Sequence, residues 1–162
     1  MKNVQGSPSK VTFKLANLSD TDSLVEMMAE FYGIDRHPFE AGRARNALQQ
    51  ILGDESLGRV WLIELKGSLI GYIVFTLGFS LEFHGRDAFI DEFYIRAEHQ
   101  RQGFGEQALE LIHETCRSLQ VQALHLEVSR SNTNAQAAYR KYGFKDREQY
   151  LMTKWIPTKE SL

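Results

Sequence analysis

The sequence predicts a mixed α/β fold, a mostly antiparallel central sheet with helices on its faces, in the order β-α-α-β-β-β-α-β-α-β. Three observations carry that prediction. Apolar runs of strand length in the middle of the chain are joined by short turns, which makes hairpins. A glycine-rich turn at Gln100-Arg101-Gln102-Gly103-Phe104-Gly105 opens an amphipathic helical pattern. Beyond it a strand pattern, a short helix and another strand pattern alternate, so an antiparallel first half leads into a βαβ crossover.

The elements follow in order. Residues 11–15 alternate and read as a first strand. Ser19 or Asp20 is expected to cap a helix through Leu24, Val25, Met27, Met28 and Phe31, with Gly33 as its end. Pro38 stands where a second helix can begin, running to about Leu52 with Gly53 as its stop. Residues 60–65 and 69–77 form two strands around the turn Lys66-Gly67-Ser68. Residues 79–87 read as a polar and aromatic connection, and 88–95 as a further strand. A helix from about Gly105 to Leu119, a strand over 123–128, a short helix over 134–142 closed by Gly143 and a last strand over 150–156 complete the order.

Length and composition bound the function. A chain of 162 residues makes one ordinary domain and leaves no room for two of full size. The expected layout is a frayed start over 1–10, one domain over 11–157 and a tail over 158–162. The net charge is -2, which argues against bulk binding of nucleic acid. No apolar stretch approaches the roughly 20 residues of a membrane span, and the polar start lacks the apolar core of a signal peptide. The single cysteine, Cys116, lies in a helical pattern and reads as a small buried apolar residue rather than a nucleophile. These features fit a cytoplasmic protein with no membrane partner. His37, His84 and His99 lack metal-ligand spacing, and no metal is expected.

The glycine-rich turn is the first chemical signal. Glycines let backbone approach a ligand closely, and a helix start offers unpaired N–H groups at a positive dipole end. Together they suit a pyrophosphate, with Arg101 as an added donor. A dinucleotide fingerprint also fits Gly103-x-Gly105-x-x-Ala108, with Glu127 as ribose partner. That reading is disfavoured. Residues 96–102 intervene between strand and glycine, and the preceding strands are hairpins.

The segment Asp91-Glu92-Phe93-Tyr94-Ile95-Arg96-Ala97-Glu98-His99-Gln100-Arg101-Gln102-Gly103-Phe104-Gly105 resembles motif A of the GNAT superfamily of N-acetyltransferases, whose signature Gln100, Gly103 and Gly105 fill. Asn132, Ala135, Tyr139, Gly143 and Phe144 resemble its motif B, and the element order is similar over about residues 11–156. The resemblance implies acetyl-CoA as co-substrate. Its pyrophosphate would lie on the amides of Arg101, Gln102, Gly103, Phe104, Gly105 and Glu106. Its pantetheine would pair with the backbone of Phe93, Tyr94 and Ile95, as another strand would. Asn132 would bind the cofactor's amides or cap a helix.

The implied reaction is direct attack of a primary amine on the thioester in a ternary complex. The ammonium, with a pKa of about 10.4 for a lysine-like group, must first lose a proton. Glu92 is favoured as the base and Asp91 stands close behind. Adjacent strand residues face opposite ways, so only one of them can serve a given site; pairing with Arg86 or Arg96 is the competing reading. The resemblance places the oxyanion donor at a backbone N–H near Tyr94 or Ile95. It places Tyr139 at the leaving thiolate as a hydrogen-bond donor, with Tyr142 as packing. It puts acceptor recognition in the first two helices and in the loop before the acid-bearing strand, where Tyr32, Phe79 and Phe83 can wall an ammonium that Glu82 or Asp35 holds. The alternative is a non-catalytic acyl-CoA-binding or sensing module on the same fold. The closing segment 149–156 is apolar enough to join a second copy as a homodimer.

Overall fold

The structure is a computed structural model that describes residues 10–34 and 37–156. Asp35, all but Lys10 of the start expected to fray, and the tail over 158–162 lie outside the described residues. The chain divides into two compact units, one ending at Glu127 and one beginning at Val128.

The first unit holds a five-stranded sheet in the order β1-β2-β3-β4-β5. The strands are β1 (Thr12–Leu15), β2 (Gly58–Leu65), β3 (Ser68–Ser80), β4 (Gly85–Ile95) and β5 (Ala123–Leu126). The first three pairings are antiparallel and β4·β5 is parallel, with Asp87–Ile90 opposite Ala123–Leu126. Lys66 and Gly67 both take positive φ, 51° and 81°, as the tight turn between β2 and β3 requires. The expected 79–87 connection is mostly ladder instead. Phe79 pairs with Arg86 and Ser80 with Gly85, so the turn spans only Leu81, Glu82, Phe83 and His84.

Helices α1 (Thr21–Ile34) and α2 (Ala41–Gly53) cover one face of the sheet. Leu24, Val25, Met27, Met28 and Leu48 pack there against Val60, Leu62, Tyr72, Val74 and Tyr94. The other face carries α3 (Phe104–Ser118), whose Phe104 and Ala108 pack with Val11, Ile63 and Ile70. Buried Cys116 sits on α3, and burial pushes its thiol up to about 11, as a packing residue requires.

Both ends of α1 differ from expectation, and α2 starts at Ala41 behind a Glu40 N-cap rather than at Pro38. The cap before α1 is Asn17, not Ser19 or Asp20: a 3₁₀ turn over Leu18–Asp20 comes first, and Asn17 and Asp20 form a reciprocal capping box. Helix α1 also continues past Gly33 to Ile34. A register irregularity between Val74 and Phe75 pairs Val74 with Glu92 and Phe75 with Ile90, which leaves Asp91 as the extra residue of a bulge on β4.

The second unit contains one helix, α4 (Thr133–Lys141). The expected last strand over 150–156 is not formed among the described residues. An apolar run alone does not make a strand, since the ladder needs a partner edge. Here Tyr150, Leu151, Met152, Trp155 and Ile156 are exposed, with Trp155 at 89%.

Candidate functional site

The bulge decides which of two adjacent acids turns inward. Glu92 lies on the face of Val74, toward α1, and is only 9% exposed, whereas Asp91 is exposed. A buried carboxylate is tolerated only when hydrogen-bonded. Tyr32 Oη donates to Glu92 Oε1 and Tyr72 Oη to Glu92 Oε2, both at 2.6 Å. Tyr32 comes from α1, and Tyr72, on β3, is the diagonal cross-strand neighbour of Glu92. Burial lifts the Glu92 carboxyl above its ordinary value, the two phenols pull it down, and neighbouring Asp91 adds to the rise. Burial and the carboxylate raise both phenols well above the ordinary tyrosine range. Partial desolvation of its carboxyl also raises Asp91.

The expected competing pairing with Arg96 is not made. Arg96 Nη2 lies 2.8 Å from Glu30 Oε1 and its Nε 3.0 Å from Oε2, while Tyr94 Oη donates to the same Oε2 at 3.0 Å. Arg96 also donates to the Leu69 carbonyl oxygen. The Arg96 guanidinium holds Glu30 below the usual carboxylate range, while Tyr94 is pushed up to about 12 by burial and Glu30. This network ties α1 to the end of β4, where the glycine turn begins.

That turn is built for close approach of backbone. Arg101 and Gly103 take left-handed conformations, with φ of 60° and 82°. Gly103 is the N-cap of α3, and no side chain caps the helix. A Cβ at Gly103 would meet nothing within 4 Å, and one at Gly105 only Phe93 Cζ at 3.9 Å, so the space beside both glycines is open. Beside them, β5 pairs with β4 only over Asp87–Ile90. On the side away from β3, no strand among the described residues pairs with β4 over Phe93, Tyr94 and Ile95.

The structure therefore brings Tyr32 to Glu92, and sets Phe93 through Ile95 and the 101–106 turn in continuous chain. It does not bring Glu82 or Phe83 to Glu92. Both sit in the β3–β4 turn, where the Phe83 ring lies 5.0 Å from that of His125. In the second unit, Asn132 is the N-cap of α4, its side chain accepting from the Ala135 amide. Tyr139 is half-buried, its ring edge-on to Phe144 at 5.7 Å, and burial raises its phenol. Tyr72 and Glu30 were missed by the sequence reading. The available signal was a tyrosine inside an apolar strand, whose hydroxyl needs a partner when buried.

Comparison with known proteins places this geometry in a family. Residues 22–144 match the model of the acetyltransferase (GNAT) family. Integron cassette protein HFX_CASS3 from the mobile metagenome of Cole Harbour Salt Marsh is 32% identical, with 98% of this chain and 97% of that one covered at a TM-score of 0.82. A possible acetyltransferase from Clostridium difficile 630 shares the fold at 17% identity, covering 91% and 99% of the two chains, with a TM-score of 0.79. A predicted acetyltransferase from Clostridium acetobutylicum, solved with acetyl-CoA, does so at 16% identity, 90% and 96% coverage and a TM-score of 0.76. No curated protein matches the chain. With three quarters of its residues aligned to the family model and its motif turn and split sheet in place, the chain belongs to the GNAT acetyltransferase family.

Proposed function

We propose that the protein is an acetyl-CoA-dependent N-acetyltransferase acting on a primary amine by direct attack in a ternary complex, its domain spanning residues 11–157. One observation carries the proposal. A single strand, β4, offers an open edge leading toward the glycine-rich turn and, on its α1 face, a buried carboxylate three residues before the strand ends at Ile95.

The residues fit acetyl-CoA. The amides from Arg101 to Glu106 would hold its pyrophosphate, the backbone of Phe93, Tyr94 and Ile95 its pantetheine, and the α3 dipole the negative charge. When bound, it supplies an activated acetyl group on a thiolate leaving group. Glu92 takes up the proton that the ammonium must lose. Its raised pKa brings it nearer to working pH, where a base is most effective. Asp91 is the second candidate base. Tyr139 keeps the thiolate-donor role given by motif B, and Asn132 a cofactor contact besides its cap. Tyr32, Glu82 and Phe83 remain the acceptor residues. No described helix is long and apolar enough to cross a membrane, and the proposal places the protein in the cytoplasm. The exposed closing segment joins a second copy; a monomeric mass by light scattering at micromolar concentration counts against that.

Release of free CoA from acetyl-CoA in the presence of primary amines tests the activity. Glu92→Gln is expected to slow turnover about 100-fold or more, and Tyr139→Phe to slow it while leaving acetyl-CoA binding intact. Stabilisation of the fold by acetyl-CoA without turnover of any amine would favour the non-catalytic module instead.

A further inference from the structure

We propose that Tyr32 is a catalytic residue, the proton contact between the acceptor amine and Glu92, and that Tyr72 is the positioning residue that holds Glu92 to receive the proton. The inference rests on the acetyl-transfer reading above and adds how the base is reached.

The geometry gives the two phenols different tasks. Each Glu92 oxygen already accepts one short hydrogen bond. Tyr72 is 0% exposed, so no acceptor reaches it. Tyr32 is half-buried on the last turns of α1, next to Phe39, with ring centroids 5.5 Å apart. Glu92 is only 9% exposed, which leaves an amine little room to meet it directly. An amine meeting the Tyr32 hydroxyl need displace nothing, because that oxygen donates to Glu92 and keeps lone pairs to accept. The step balances. An N–H bond of the ammonium breaks as its proton forms a bond to Tyr32 Oη. The original Tyr32 proton passes to Glu92 Oε1. The amine becomes neutral, Glu92 becomes neutral, and Tyr32 ends as the phenol it was. Tyr32 never ionises, in keeping with a phenol whose pKa lies well above the ordinary value.

The titratable groups around Glu92 are Tyr32 on α1, Tyr72 on β3 and Asp91 beside it on β4. Glu30, Tyr94 and Arg96 form their own network. Loss of the Tyr72 donor therefore raises Glu92 further with little to offset it.

The test uses two acceptors of similar size, ethylamine and 2,2,2-trifluoroethylamine, at saturating acetyl-CoA and neutral pH. The first is an ammonium there and the second a free amine that needs no base before attack. Tyr32→Phe and Glu92→Gln are both expected to lower kcat/KM for ethylamine about 100-fold and to leave trifluoroethylamine within about threefold of wild type. Tyr72→Phe is expected to move the acidic limb of the ethylamine pH–rate profile about one unit upward while the plateau stays within about threefold. Equal slowing of both amines by Tyr32→Phe makes Tyr32 structural and overturns the proposal. An impaired Glu92→Gln beside an unimpaired Tyr32→Phe also overturns it, with proton transfer to Glu92 direct and the acetyl-transfer reading intact. An unimpaired Glu92→Gln, or a wild-type enzyme that turns over neither amine, overturns the reading beneath it. If Tyr72→Phe fails to fold, the Tyr32→Phe comparison decides alone.

Discussion

Replacing Tyr72 by Phe removes one hydroxyl from a site where its loss is felt in proportion to charge. The Tyr72 hydrogen bond to Glu92 Oε2, at 2.6 Å, is fully enclosed. A hydrogen bond to a charged group contributes about 1.5–3 kcal/mol and a neutral one about 0.5–1.5. Tyr72→Phe is therefore expected to cost about 2–3 kcal/mol where Glu92 is ionised, or about 5–10 °C in Tm for a chain of this size. The cost is expected to shrink to about 1 kcal/mol where Glu92 is protonated. Burial raises Glu92 above its unfolded value of 4.5, so between the two values the folded chain holds a proton that the unfolded chain has lost. The stability contributed by this group is fully present below 4.5 and is lost as pH rises through the folded value. Tyr72→Phe raises that value again and extends the loss. Urea unfolding of both proteins at pH 7.5 and pH 4, below the unfolded value, reads the difference. A penalty equal at the two pH values, or larger at pH 4, would refute an ionised Glu92 held by Tyr72.

Other outcomes are also expected. Gly103→Ala forces a side chain into a left-handed backbone and is expected to cost about 1–2 kcal/mol of stability; in thermal melts the rise in Tm given by acetyl-CoA should shrink as well. Arg96→Met breaks a bidentate pair that is about a third exposed, so screening limits the loss to about 1 kcal/mol. Because Glu30 is held below 4.5, that contribution is present above 4.5 and fades as pH falls through the lower folded value, so the wild-type advantage in urea should narrow toward pH 3. Phe104→Ala empties the contact of α3 with the sheet and should cost about 3–5 kcal/mol by the same urea measurement.

Much of the fold was legible because burial on one face imprints a period. Strand β4 and helices α1 and α3 bury alternate or helical sets of side chains, β2 a continuous apolar run, and those sets are visible in the sequence. The far end of the β3–β4 hairpin was not legible. Phe79 is exposed there, so no buried face marks residues that the ladder nevertheless pairs. Residues 150–156 failed in the opposite way, carrying apolar residues of strand length with no partner strand among the described residues. At the site, Asp91 and Glu92 announced themselves as two acids in an apolar strand. Which of them turns inward depends on a bulge, and a bulge belongs to the pairing of two strands rather than to either one. Tyr72 looked like one more apolar residue of β3, since its role rests on a hydroxyl that meets Glu92 only once the register is set.

The short reach of β5 has a practical consequence. Beyond Ile90, no strand among the described residues covers the side of β4 away from β3, and in the proposed function a small diffusible molecule fills that seam of peptide groups. Any stretch of extended polypeptide can fill the same seam, so a preparation stripped of its nucleotide should be the one that clumps on storage. Adding the coenzyme back at purification should lengthen shelf life before a single turnover takes place.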